Sequence, residues 1–128
     1  MNSQEKAKQN GLLIENLFIR IFKMKLVDDL LDGPNFEIKS CMSHQRNGGH
    51  YTSGRIVIEK EQWDALTECK GRLWVFVRKP NDFVEIYYLD FPTDFQFKRK
   101  ISVLEIKKKF INWGKIFIDE LKNDEEVM

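Results

Sequence analysis

Glu37 and Lys39 stand two residues apart in the segment Asp28-Asp29-Leu30-Leu31-Asp32-Gly33-Pro34-Asn35-Phe36-Glu37-Ile38-Lys39-Ser40. In an extended strand, residues two apart share a face. Glu37 and Lys39 therefore project together, while Phe36 and Ile38 point to the other side, into a core. A carboxylate and an ammonium side by side on a sheet face, next to an acidic strand, suit phosphodiester hydrolysis. Carboxylates hold a hard, oxygen-seeking cation such as Mg2+. Such a cation polarises a phosphoryl group and lowers the pKa of an attacking water. The lysine can position that water or help deprotonate it, and it offsets phosphate charge.

The element that must present this pair is a strand from Phe36 to about Met42, preceded by the dense turn signal Asp32-Gly33-Pro34-Asn35. Residues 25–31 also read as a strand, so the two are expected to form a hairpin. Register then selects the partner acid. With Leu31 opposite Phe36, Asp28 faces Lys39 and shares the catalytic face; a turn shorter by one residue puts Asp29 there instead. Asp28 is favoured, and Asp29 and Asp32 stay open as the metal-binding aspartate. Upstream, residues from about 3 to 23 read as a helix, because Leu13, Leu17 and Ile21, with Leu12, Phe18 and Phe22, recur at helical spacing. Glu15 sits among these apolar positions. An unpaired buried charge is costly, so a metal or Lys39 could be its partner; otherwise it reaches solvent at the helix edge.

Downstream, residues 43–54 hold Gly48-Gly49, Asn47, His44 and His50 and read as a long polar loop. Arg46 and Arg55, with Asn47, Thr52 and Ser53, are candidate phosphate contacts, since arginine and hydroxyl groups suit phosphate oxygens. A short strand over 55–58 leads into a helix over 59–70, with Trp63, Leu66 and Cys69 on one face. Residues 73–77 form a continuous apolar run of the kind found at a sheet centre, and 83–89 form the next strand. Ser102-x-x-Glu105 is a capping-box spacing. The helix it opens is expected to run to about Lys122, with a break at Gly114. Trp63, Trp74 and Trp113 read as core residues. The order helix, strands, helix, strands, helix is α/β in class.

A chain of 128 residues is one domain's worth, here 1–128. Hydrophobic residues at 42% and charged residues at 32% are those of a soluble globular protein. Cys41 and Cys69 form no paired spacing that would hold zinc, and free thiols suit a reducing, cytoplasmic setting. No apolar run approaches the roughly 20 residues that span a bilayer. The net charge is only +1, but it is unevenly spread. Between Lys98 and Lys115 lie seven basic residues and one acid, Glu105, whereas 119–126 carries five acids and one lysine. A basic stretch followed by an acidic tail fits a nucleic-acid binder, with Lys98, Arg99 and Lys100 as backbone contacts; two solvated helix faces would look the same.

The segment around Glu37-Ile38-Lys39 resembles the PD-(D/E)xK nuclease superfamily, whose (D/E)xK element it matches. From Gly11 to Lys79 the chain looks like the archaeal Holliday-junction resolvases and their relatives. The counterparts are Glu15, then Asp28 or Asp29, Glu37-Ile38-Lys39-Ser40, Ile56-Val57-Ile58, Lys60-Glu61-Gln62 and the run Leu73 to Val77. The resemblance implies a restriction-endonuclease-like core, a central mixed sheet flanked by helices. It also implies an Mg2+-dependent endodeoxyribonuclease, with Mn2+ as a substitute ion, acting on DNA of duplex or branched form. Asp28, Glu37 and Lys39 would be catalytic, and Glu15, Asp28, Asp29 and Glu37 would supply the metal ligands. Cutting both strands needs two sites, so a homodimer is expected. The rival is a non-catalytic nucleic-acid-binding or protein-interaction module on a decayed nuclease fold. It is favoured by Asn35 standing after Pro34 and by room for only one strand between Lys23 and Phe36.

Overall fold

In the computed structural model, residues 16, 19, 30–47, 50–80 and 83–117 are described, with backbone alone for 44–47 and 50–52. Asn16 and Ile19 are helical. The remaining elements, in chain order, are β1 (Phe36–Met42), β2 (His44–Asn47), β3 (His50–Ser53), β4 (Arg55–Val57), α1 (Lys60–Cys69), β5 (Arg72–Arg78), β6 (Phe83–Asp90), β7 (Lys100–Ser102), α2 (Val103–Lys109) and β8 (Ile111–Phe117). The fold is mixed α/β.

The apolar run of β5 takes an inner place in a four-stranded sheet of order β1-β5-β6-β8. A strand buried on both faces needs such a sequence, and Leu73, Trp74, Val75, Phe76 and Val77 are all buried. β1 lies parallel to β5, while β6 is antiparallel to both β5 and β8. The parallel pair needs a crossover, which the stretch from β2 to α1 supplies. Registers Glu37↔Leu73 and Lys39↔Val75, continued by Leu73↔Leu89 and Val75↔Tyr87, set these residues on one face. That face carries the main core, closed by Trp63 and Leu66 of α1 and Val103 and Ile106 of α2. Leu66 is fully buried; truncating such a leucine costs about 2–5 kcal/mol.

Three sequence expectations change. Leu30 and Leu31 lie in a bend, not a strand, and β1 takes its ladder partner from β5. The carbonyl of Asn35 accepts the N–H of Arg72 at 3.0 Å, which starts that pairing directly after the turn. Residues 25–29 lie outside the described residues. The polar stretch 43–54 is not a plain loop: β2 and β3 form an antiparallel ribbon, His44↔Ser53 to Asn47↔His50. The helix opened by Ser102 ends at Lys109. Phe110 is extended and buried, and the chain continues as β8 against β6. Gly114, at φ +151°, sits beside the register shift of that pair, a backbone conformation that glycine adopts freely.

A candidate carboxylate site at the edge of the sheet

The ring of Phe36 packs on Gly33, in space that only a residue without Cβ leaves open. The N–H of Gly33 donates to the carbonyl of Phe36 at 3.0 Å. This turn folds Asp32 back along β1. Because β1 is an edge strand, alternate N–H groups fall outside the ladder, and carboxylates take one of them. Asp32 Oδ2 accepts the N–H of Ile38 at 2.8 Å, and Glu37 Oε1 accepts the same N–H at 3.1 Å.

The other oxygen of Glu37 is held from α1. Gln62 Nε2 donates to Glu37 Oε2 and, at 3.3 Å, to the carbonyl of Leu30. Gln62 Oε1 in turn accepts the N–H of Glu59 at 3.1 Å, as half of a reciprocal capping box at the start of α1. One glutamine thus caps the helix, ties the 30–35 segment to it and holds the acid of β1. Trp63, the next residue, anchors the helix edge-on to Phe91, with ring centroids 4.8 Å apart.

Glu37 is only 3% exposed. Burial, then the hydrogen bond and charge of Asp32, push its pKa up to about 8 from an ordinary 4.5, while Lys39 and the N–H of Ile38 pull the other way. Burial and a neighbouring carboxylate both resist ionisation of Glu37, so Glu37 keeps its proton at neutral pH. A divalent cation is the other partner able to relieve it. Lys39 is half-buried and shares the face of Glu37, as the strand period requires.

Sequence spacing therefore finds Glu37 and Lys39, and the structure joins Asp32 and Gln62 to them. Asp32 stood among three candidate aspartates. Gln62 had a signal of its own in the Glu59-x-x-Gln62 capping spacing. Glu15, Asp28 and Asp29 lie outside the described residues, and the hairpin register that favoured Asp28 does not form, because Leu31, set opposite Phe36 in it, lies in a bend and β1 pairs with β5. Among the described residues no group of three His, Cys, Asp or Glu side chains converges. The carboxylate set is thus Asp32 and Glu37. A cleft of about 370 Å³ beside it, lined by Leu30, Leu31, Gly33, Pro34, Ala65, Glu68 and Cys69, contains neither site acid.

The candidate phosphate contacts are dispersed. Arg46 lies on β2, where the backbone alone is described. Arg55 and Lys100 are exposed on the small β4–β7 sheet, on the side opposite Ile56 and Ile101, which are buried in the core. Lys98 pairs with Glu105 at 2.7 Å and Arg99 with Glu59 at 3.2 Å. Exposed pairs of this kind contribute about 0–1 kcal/mol, so a phosphate can displace them. Trp63 and Trp74 are core residues as expected, whereas Trp113 is 43% exposed. Both cysteines are free, Cys41 buried and Cys69 exposed.

The chain is a mixed α/β protein with a buried glutamate and a half-buried aspartate beside a lysine at a sheet edge, and none of its described helices is long and apolar enough to cross a membrane. No family model, curated protein or solved structure matches it.

Proposed function

We propose that this protein is a metal-dependent endonuclease that hydrolyses DNA phosphodiester bonds on a restriction-endonuclease-like core. The observation that carries the reading is the convergence of Asp32 and Glu37 on one N–H, with Lys39 on the same face as Glu37. Mg2+ is commonly held by one or two carboxylates, with water and substrate phosphate completing its shell, and two carboxylates fit that pattern. Asp32 and Glu37 would hold the ion, and Mn2+ could replace it. When bound, the ion supplies Lewis-acid polarisation of the phosphoryl group and a more acidic water. The chain's own part is to bind and orient. Gln62 and the N–H of Ile38 fix the two carboxylates, and Lys39 offsets phosphate charge and positions the attacking water. Arg55 and Lys100, with Arg46, Lys98 and Arg99, would contact the DNA backbone. Cleavage of both strands would need a homodimer, and free thiols suit a cytoplasmic location.

A second reading has its own support. Glu37 is buried, protonated near neutral pH and hydrogen-bonded by Gln62, which is also how a purely structural clamp between α1 and β1 would look. In that case the chain is a non-catalytic nucleic-acid-binding or protein-interaction module. One assay separates the two: plasmid and branched DNA incubated with the protein in Mg2+, in Mn2+ and in EDTA. Metal-dependent cleavage that disappears in Glu37→Ala and Lys39→Ala supports the nuclease. Intact DNA under every divalent ion overturns it.

A further inference from the structure

The strand that carries Glu37 and Lys39 leads directly into the β2–β3 ribbon. The N–H of Ser43 donates to the carbonyl of Arg78 at 2.8 Å, which extends the β1–β5 ladder by one rung. The carbonyl of Ser43 accepts the N–H of Gly54 at 2.9 Å, and the carbonyl of Gly54 accepts the N–H of Val103 at 2.9 Å. The foot of the ribbon is therefore tied both to the sheet and to the start of α2. Beyond that foot, among the described residues, β2 and β3 have no strand partner except each other.

No apolar face accounts for this ribbon. Every residue from His44 to Ser53 other than Gly48 and Gly49 carries a hydrogen-bonding side chain. No acid occurs from Ile38 to Ile58, although the chain holds 20 acids in 128 residues. The same stretch carries Lys39, Arg46 and Arg55, and Arg55, directly after the foot, is exposed. This charge complements a polyanion. Alternate residues share a face, and the pairs Gln45↔Thr52 and Asn47↔His50 alternate with Arg46↔Tyr51. Gln45, Asn47, His50 and Thr52 thus hold the register positions of one face.

The dimensions match a groove of duplex DNA. At about 3.3 Å per residue each strand is roughly 13 Å long, with its partner about 4.8 Å away. The major groove of B-DNA, about 12 Å wide, admits a two-stranded ribbon; the minor groove, about 6 Å wide, is too narrow without deformation. Same-face positions along a strand lie about 6.6 Å apart, close to two base-pair steps of about 3.4 Å. Asn and Gln carboxamides pair bidentately with N6 and N7 of adenine. The major groove of duplex RNA is too narrow for side chains to read.

We propose that β2–β3 is the element that reads DNA sequence, laid in the major groove with the face of Gln45, Asn47, His50 and Thr52 on the base edges. The inference rests on the DNA part of the proposed function and names what the substrate must contain. From Lys39 to Asn47 the chain spans at most about 26 Å, so the preferred bases, adenine among them, lie within about eight base pairs of the cut bond.

The test is run in EDTA, so that no cleavage intervenes. The full chain is used to enrich a pool of random 30-base-pair duplexes, and the enriched duplex is compared with the starting pool by fluorescence anisotropy. A preference that falls about tenfold in Gln45→Ala/Asn47→Ala, as expected for lost bidentate pairs, supports the proposal. A second measurement leaves the protein unaltered: 7-deazaadenine in the enriched duplex removes the major-groove N7 and should weaken binding by a similar factor. No enrichment, an unchanged preference in the double variant, or equal affinity for the 7-deaza duplex overturns the proposal. Metal-dependent cleavage by a protein that enriches no sequence overturns the ribbon's role and leaves the nuclease reading standing. A ribbon-dependent preference without cleavage under any divalent ion supports the ribbon's role and overturns the nuclease instead.

Discussion

Asp32 and Glu37 accept the same backbone N–H, that of Ile38, at 2.8 and 3.1 Å. Two acids five positions apart in the chain thus meet at one donor, and beside burial the charge of Asp32 helps to keep the proton on Glu37.

The metal-free protein should lose stability as pH rises. Glu37 binds its proton more tightly folded than unfolded, with a pKa of about 8 against an ordinary 4.5. Its contribution is fully present below the unfolded value and is lost between the two. At about 1.4 kcal/mol per pH unit the loss is on the order of a few kcal/mol. Urea midpoints measured from pH 4 to 9 should fall across this window, and the slope should flatten in Glu37→Gln. A midpoint that rises with pH would contradict the assignment.

A divalent cation should reverse that trend. Binding displaces the proton of Glu37, so stabilisation by Mg2+ or Mn2+ should grow as pH rises from 6 to 8.5. At a hundredfold excess over Kd the gain is about 2.7 kcal/mol. Thermal melts with the ion and with EDTA read it directly. Asp32→Asn should remove most of the gain; equal stabilisation of that variant would exclude Asp32 as a ligand.

Removal of Gln62 should cost more than an ordinary surface substitution. Gln62→Ala deletes a helix cap, worth about 1 kcal/mol, and also deprives a buried carboxyl of its donor, worth about 1–3 kcal/mol. A urea midpoint lowered by the equivalent of about 2–4 kcal/mol is the expected result. A change within about 0.5 kcal/mol, the usual range for surface positions, would mean that the glutamine holds nothing.

DNA affinity should separate the exposed cations into two sets. Arg55→Gln and Lys100→Gln should each lower the salt slope by about 1, because no ion pair engages either among the described residues. Lys98→Gln should have a smaller effect, since its ammonium already rests on Glu105. Fluorescence anisotropy across a salt series distinguishes them, and equal slopes for all three variants would count against the division.

Legibility in the sequence followed the range of the interactions. α1 was readable because its signals are local: Trp63, Leu66 and Cys69 fall on one face at helical spacing. β5 declared itself by five apolar residues in a row. The two-residue spacing of Glu37 and Lys39 needed only the strand period. The partner strand of β1 did not show, because it lies more than thirty residues downstream while a strong turn signal sits next door. The β2–β3 ribbon has no apolar alternation to mark it. The helix opened by Ser102 carried a clear start and no stop at Lys109, its first glycine being Gly114 five residues on, so its continuation as β8 was hidden until β6 was seen to need a neighbour. Asp32 and Gln62 reached the site only through the fold-back at Gly33 and the placement of α1.

The double duty of Gln62 has a kinetic consequence. The first turn of α1 cannot fray without letting go of Glu37, and nothing can draw Glu37 away without loosening that turn. On the proposed reading, a cation entering the acid pair would therefore wait on a local opening that helices undergo spontaneously on sub-microsecond timescales. Amide protons at the start of α1 become a spectator of events on β1, exchanging faster or slower with solvent according to what the neighbouring strand holds.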